Sequence, residues 1–378
     1  TACDVLLIGH EHHFNYIYDG KIYSPLLGSI LERLERNGQK VSIILKPFSA
    51  IRPQRLWRPG FTFNYFHFVT LLIAFAGKIF RSNSLQSIAK RREIHFWRRL
   101  FSVCAPSKII AITPEPAICN AARQLGIPIA DLQHGVINSQ HPYYGESFKK
   151  NRPSEDFPTE YLLWDKESSE SLLWVSTKGA RLTIIGHPWF ERFLHPSPDD
   201  NLVISSLSQS KLFLKNKPTI LVTLQWGLEK YIDTPDFNGF MCEGLEKAII
   251  RTQDAYNWML RLHPVQLHGQ RRIETLRYLE STFSGCTAVE WVKSSYIPLP
   301  IALKLCDLHI TSFSTVVREA AWMNIPSALT DREVAAGGKR EGYFVHEKAS
   351  GLAQVVGEST EDIMAWIRLR LLERNRLA

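Results

Sequence analysis

Apolar runs of strand length recur along this chain, each followed by a stretch of helix length, and that alternation most constrains its fold. The first run is Val5-Leu6-Leu7-Ile8-Gly9. Leu26, Leu27, Ile30, Leu31 and Leu34 then fall at helical spacing, so a helix is expected over 25–37, closed by Gly38. Val41-Ser42-Ile43-Ile44-Leu45 is the next run. Strand, helix and strand in that order imply a parallel sheet with a right-handed crossover. Residues 50–100 are aromatic, basic and irregular, and read as a helical insertion. The pattern resumes with a strand at 108–112, a helix at 117–125 closed by Gly126 and a strand at 127–132. Strands at 161–164 and 182–186 flank a helix at 166–177, and residues 139–158 read as a surface loop.

Between 188 and 217 the strand pattern weakens, and Pro196, Pro198, Asp199 and Asp200 mark a linker. Strands are expected again at 219–224, 258–262, 288–291, 308–310 and, last, 327–329. Helices are expected at 238–252, 270–283, 298–305 and 315–323. A terminal helix at 360–374 carries Ile363, Trp366, Ile367 and Leu371 on one face and is expected to pack back on the first domain. A chain of 378 residues, 45% hydrophobic, supplies two cores of ordinary size. The expected fold class is α/β, with two Rossmann-like domains at 1–190 and 191–378 facing a central cleft.

The formal charge of +8 favours anionic partners: nucleotide phosphates, an acidic glycan or an anionic membrane surface. No nucleic-acid-binding module is present, so nucleic acid is not an expected partner. Six cysteines without a CxxC pair argue against a disulfide framework or a zinc site and fit a reducing, cytoplasmic setting. No secretory signal peptide opens the chain, and its start fits a piece cut from a longer protein. The segment 61–80 holds an apolar core from Phe68 to Gly77, about half the ~20 residues that span a bilayer. Lys78, Arg81, Lys90, Arg91, Arg92, Arg98 and Arg99 follow it. A buried helix with a solvated basic neighbour is the first reading, and an interfacial helix on anionic lipid the second.

Polar clusters stand where apolar runs end. Gln133-His134-Gly135 follows one such run, and Arg261-Leu262-His263-Pro264 another. Ligands of open α/β sheets bind at such carboxyl ends. A strand-end imidazole such as His263 can donate to a phosphate or ribose oxygen, and Arg261 adds a cation. Ser312, Ser314 and Thr315 stand where a strand becomes a helix; they either cap it or contribute to an anion site. Glu319, one turn on, either reaches a ribose hydroxyl or is a solvated or salt-bridged residue. Gln225-Trp226-Gly227 is placed to meet a donor. In the first half, Asp131 and Glu115 both fall at strand ends, as base, nucleophile or structural cap. His10, His12 and His13 crowd the first turn and line an acceptor site, or hold a metal. His141 and Tyr144 lie just past His134 as substrate contacts, and His187 marks the first domain's end. No phosphate-binding glycine loop and no Asp-x-Asp metal motif occurs.

Gln133-His134-Gly135, Arg261-Leu262-His263-Pro264 and Ser312-Phe313-Ser314-Thr315 with Glu319 resemble the motifs of bacterial GT-B transferases of capsule and lipopolysaccharide assembly. These include CMP-Kdo and CMP-sialic acid transferases, with CDP-glycerol transferases more distant; the resemblance spans roughly 105–345. It implies a GT-B fold and a CMP-sugar donor, most specifically CMP-Kdo. His263, with Pro264, and the Ser314/Thr315 pair would hold the CMP phosphate and ribose. The first domain would hold a glycan or lipid-linked glycan acceptor, with Asp131 the first choice of catalytic carboxylate, Glu115 the second, and His134 beside them. No cofactor and no bound metal is expected for the transfer. The implied setting is cytoplasmic, with peripheral contact to the inner face of the inner membrane. Two rivals stay open: a nucleotide-sugar 2-epimerase of similar fold, and a non-catalytic glycan-binding assembly protein using the 50–100 stretch.

Overall fold

The computed structural model describes residues 2–46, 55–58, 60–137, 143–209, 217–228 and 239–377. The chain divides into two compact units, Thr1–Pro196 and Ser197–Ala378. The strands of the first are β1 (Val5–Gly9), β2 (Tyr16–Tyr18), β3 (Lys21–Tyr23), β4 (Val41–Leu45), β5 (Gly60–Phe61), β6 (Lys108–Ala111), β7 (Ile129–Leu132), β8 (Glu160–Leu163) and β9 (Arg181–Ile184). Its helices are α1 (Pro25–Arg36), α2 (Asn64–Ile79), α3 (Asn83–Cys104), α4 (Pro116–Gln124), α5 (Glu146–Lys149), α6 (Lys166–Ser171) and α7 (Pro188–Leu194).

Seven of these strands form a parallel sheet in the order β5-β4-β1-β6-β7-β8-β9. Every residue of β1 is buried, as a parallel strand covered on both faces must be. Its side chains alternate between two cores. Leu6 and Ile8 join Ile109, Ala111, Trp97 and Phe101 on one face, while Val5 and Leu7 join Leu27, Leu31, Ile43 and Ile110 on the other. Local chemistry sets the helix ends. Ser24 Oγ accepts from Leu27 N and Pro25 opens α1, while Gly38 follows with φ of 78°.

The 50–100 stretch is more integral than its composition suggests. β5 extends the sheet beyond β4, and α3 buries Trp97 and Phe101 against the sheet beside α4. The 166–177 helix splits into α6 and a 3₁₀ turn at Leu173–Lys178. The expected linker also carries helices: α7 ends the first unit, and α8 (Asn201–Gln209) stands early in the second.

The second unit continues with β10 (Thr219–Thr223), β11 (Asn257–Arg261), β12 (Val289–Glu290), β13 (Leu308–Thr311), β14 (Ser327–Leu329) and β15 (Ala353–Val355). Its further helices are α9 (Glu243–Thr252), α10 (Gly269–Phe283), α11 (Val292–Tyr296), α12 (Leu299–Leu305), α13 (Val316–Trp322), α14 (Val345–Ala349) and α15 (Thr360–Leu377). The sheet order is β12-β11-β10-β13-β14-β15, all parallel. The strand at 327–329 is therefore not the last, because β15 pairs outside it. The terminal helix α15 buries Ile363, Trp366 and Ile367 in the core of this unit and packs on α9.

Both sheets grow outward in two directions from a central strand. β1 has β4 on one side and β6 on the other; β10 has β11 and β13. The connections leave on opposite faces there and open a crevice at the carboxyl ends.

Candidate active site

In the first unit that crevice is a cavity of about 750 Å³. His10 and His13 reach it from beyond β1, Lys46 from the end of β4, Glu115 from beyond β6, and Asp131 and His134 from β7 and its end. Lys149 of α5, with Arg152 and Asp156 just beyond it, adds further charge to the lining.

Asp131 is buried, and its carboxylate Oδ1 accepts from Thr113 N at 2.9 Å. Burial pushes its pKa up from 3.8 to about 7. The Thr113 amide, the Lys149 and Lys46 cations and the Tyr144 hydroxyl oppose that rise without cancelling it. Thr113 itself has φ of 44°, a left-handed conformation costly for a β-branched residue. Bonds at both ends hold it there: its amide on Asp131, and its carbonyl accepting from Lys46 Nζ at 2.5 Å. Lys46 is buried and pairs with Glu115 at 3.0 Å. Glu115 stands half-exposed and makes no side-chain cap on α4. Burial lowers the pKa of Lys149, partly offset by Asp131.

Three histidines, His10, His13 and His134, line the same cavity. His134 Nδ1 lies 3.3 Å from the hydroxyl of buried Tyr144, and its ring centroid 5.6 Å from that of His13. His13 Nδ1 accepts from His10 N at 3.0 Å. Burial, with Asp131 nearby, drives the Tyr144 pKa well above 10, which keeps it a hydrogen-bond donor. Gln133 is an anchor: its amide oxygen accepts from Trp164 N, and its Nε2 donates to Gly135 O and Ser168 Oγ. It thereby ties the end of β7 to β8 and fixes where His134 points. His12 lies in the 3₁₀ turn Glu11–His13, its side chain outside the description, and His141 lies outside the described residues. His187 is buried and caps α7, accepting from Phe190 N; it is structural and takes no part in the cavity.

The second unit holds its own cluster at its strand ends. Gln225 Oε1 accepts from Phe313 N at 2.9 Å and from Thr311 Oγ1 at 3.3 Å, joining the end of β10 to that of β13. His263 caps the 3₁₀ turn Pro264–Leu267, its Nδ1 accepting from Val265 N at 3.2 Å. Gln266 accepts from His263 N in return, and its own Nε2 donates to Gln225 O. An acceptor at Nδ1 places the His263 proton on Nε2, as a donor. Burial lowers its pKa to about 4, so the ring is neutral at physiological pH. Trp226 is 43% exposed, with its ring centroid 6.4 Å from that of His263.

Arg261 is held within its own unit. Its guanidinium caps the end of α11, donating to the carbonyls of Ser294 and Ile297. It also faces Glu319, whose pKa burial raises to about 8 against the pull of Arg261 and Arg318. Ser312 is buried, Ser314 Oγ accepts from Val316 N, and Thr315 stands exposed at the start of α13 without capping it through its side chain. Pro264 is exposed and opens the 3₁₀ turn.

The structure thus brings Asp131, Glu115, His134, His10 and Tyr144 together in one unit, and Gln225, Arg261, His263, Ser312, Ser314 and Glu319 to the strand ends of the other. Lys46 and Lys149, the cations that act on Asp131, are among the lining side chains that sequence reading missed, with Arg152 and Asp156. Lys46 carries a usable signal, since it directly follows the run Val41–Leu45; Lys149 carries none.

No protein-family model and no curated protein sequence matches the chain. Solved structures do. The UDP-GlcNAc 2-epimerase from Neisseria meningitidis bound to UDP-GlcNAc superposes with a TM-score of 0.60 at 13% identity, over 99% of this chain and 92% of that one. The Methanocaldococcus jannaschii UDP-GlcNAc 2-epimerase gives 0.57 at 12% identity, over 96% and 91%. The wall teichoic acid polymerase TagF gives 0.56 at 13% identity, over 98% and 80%. Similarity at this level is similarity of fold, and the fold is the GT-B type with two Rossmann-like domains.

Proposed function

We propose that this chain is a transferase that moves a sugar from a nucleotide-activated donor to a hydroxyl of a glycan or glycolipid. The observation that carries this reading is Asp131: a buried carboxyl with a pKa near 7, under the influence of Lys46 and Lys149, in a cavity of monosaccharide size or larger that His10, His13 and His134 also line. Such a group is suited to general-base catalysis near neutral pH. Asp131 takes the proton of the acceptor hydroxyl, and that oxygen attacks the anomeric carbon of the donor. The bond from that carbon to the phosphate oxygen breaks, and the nucleotide leaves with the electron pair. The second unit binds the nucleotide, with His263 Nε2–H directed at a phosphate or ribose oxygen and Trp226 offering a ring face to the base. Lys46 and Lys149 suit an anionic or densely hydroxylated acceptor. The reading invokes no metal.

The motif resemblance makes CMP-Kdo the first donor to try, in capsule or O-antigen assembly, with CMP-sialic acid next. TagF supports keeping CDP-polyol donors in the set. A second reading is favoured by the epimerase structures, which match nearly the full length of both chains. There, Asp131 and its neighbours would exchange a proton on the sugar ring of a UDP-sugar.

A calorimetric panel of CMP, CDP, UDP, GDP and ADP followed by donor turnover decides between them. Selective CMP binding, and transfer from CMP-Kdo that Asp131→Asn abolishes while leaving CMP affinity intact, is the expected result. Preference for UDP with release of a 2-epimerised sugar would establish the second reading. Binding of no nucleotide would overturn both.

A further inference from the structure

Helix α2 is packed on one side only. Phe66 stacks on Phe96 of α3 with centroids 4.2 Å apart, and His67, Thr70 and Gly77 are buried beside it. The opposite side carries Tyr65, Phe68, Leu71, Leu72, Phe75 and Ile79, each more than half exposed. At 100° per residue these six fall within an arc of about 120°, so they form one continuous apolar stripe facing solvent. A stripe of this kind on a protein surface marks an interaction site.

Charge identifies the occupant. From Asn64 to Arg92, across α2 and the first half of α3, the sequence has no acidic residue and five lysines and arginines. Lys78 lies in the last turn of α2, Arg81 in the turn to α3, and Arg91 on α3, all exposed. We propose that this face seats α2 in the headgroup layer of a bilayer containing anionic lipid, with the helix axis in the membrane plane. Sixteen residues of helix are about 24 Å long, short of the ~30 Å hydrocarbon core. No helix among the described residues is long and apolar enough to cross a membrane. An apolar stripe with a cationic border therefore lies on the surface and does not span it. A second copy would cover the apolar stripe but would leave its cations without an anionic partner, which an anionic bilayer supplies.

The test is independent of the transferase reading and uses the full chain. Co-sedimentation is measured with vesicles of phosphatidylcholine alone and of phosphatidylcholine mixed with phosphatidylglycerol. Binding to the mixed vesicles is expected, weakened about tenfold or more in the triple variant Phe68→Ser, Leu72→Ser, Phe75→Ser. Arg81→Gln with Arg91→Gln should weaken it further in low salt than in high salt. The substituted side chains are exposed, and unchanged thermal unfolding verifies the fold. Failure of the wild-type chain to bind anionic vesicles, or equal binding by the triple variant, would overturn the proposal. So would a concentration-dependent dimer that the triple variant abolishes in sedimentation velocity, which would give the face to a second copy.

Discussion

Burial brings the Asp131 carboxyl to a pKa of about 7, and under the proposed base role that one side chain sets the acid limb of the pH profile. Turnover should rise with pH through about 7 and level off above it, because only the ionised form accepts a proton. In Asp131→Asn that limb should vanish and turnover fall by about 10²-fold or more, as a pH–rate profile would show. His263 leads to a different expectation. Its ring is already neutral at neutral pH and donates from Nε2, so nucleotide affinity should be insensitive to its titration between pH 5 and 8. His263→Ala should weaken nucleotide binding about tenfold or more by calorimetry, and His263→Gln should recover part of the loss by restoring a donor. Asp131, Glu115, His134 and His263 are legible in the sequence because each stands at or near the end of an apolar run. Lys46 has that same position, but one lysine after a strand reads as solvated. Lys149 reaches the carboxyl through a tertiary approach from a polar, tyrosine- and proline-rich stretch. The carbonyls that Arg261 caps are not legible in the sequence, because they belong to α11, a helix of five residues too short for any periodic signal.

The elements follow the same division. Long periodic segments such as α1, α10 and the paired central strands read correctly, whereas β15, three residues at a sheet edge, gives no pattern to read. α7 lies in a stretch with no strand pattern, yet its Trp189, Phe190 and Phe193 are buried at helical spacing. The β2–β3 hairpin had a signal in Asp19-Gly20, both with positive φ between two tyrosine-bearing strands, as a two-residue turn requires. Close packing of α9 supports a sharper expectation. A Cβ on Gly244 would lie 1.9 Å from the Glu358 carbonyl oxygen, at the approach to α15. Backbone cannot retreat as a side-chain tip can, so Gly244→Ala should cost about 3 kcal/mol or more in urea unfolding. Gly285→Ala, where a Cβ meets nothing within 4 Å, is the matched control and should change stability little.

Across the molecule, several buried groups among the described residues shape stability against pH, six of them histidines and carboxyls with large shifts. His67, His187, His263 and His309 are held neutral by burial, with pKa values of about 4, 3, 4 and 3 against 6.5 unfolded. The stability they contribute is full above 6.5 and lost as pH falls through 4 to 3. Asp131 and Glu319 run the other way: raised to about 7 and about 8, they contribute stability at low pH that is lost as pH rises through those values. Between roughly pH 4.5 and 6.5 four histidines outweigh two carboxyls, and above 6.5 only the carboxyls act, so stability should peak near pH 6.5. Melting temperatures across a buffer series would show the peak, and Asp131→Asn should flatten its alkaline side. The order of strands in the first sheet has a further consequence, in time. β1 is sandwiched between β4 and β6, and the second of these neighbours is made about 100 residues after the first strand ends. At ribosomal speeds of about 5–20 residues per second, this fully buried strand waits roughly 5–20 s with one edge unpaired. During that interval a nascent chain presents an open strand edge to its neighbours on the polysome, and its yield in the cell depends on whatever shields that edge until β6 arrives.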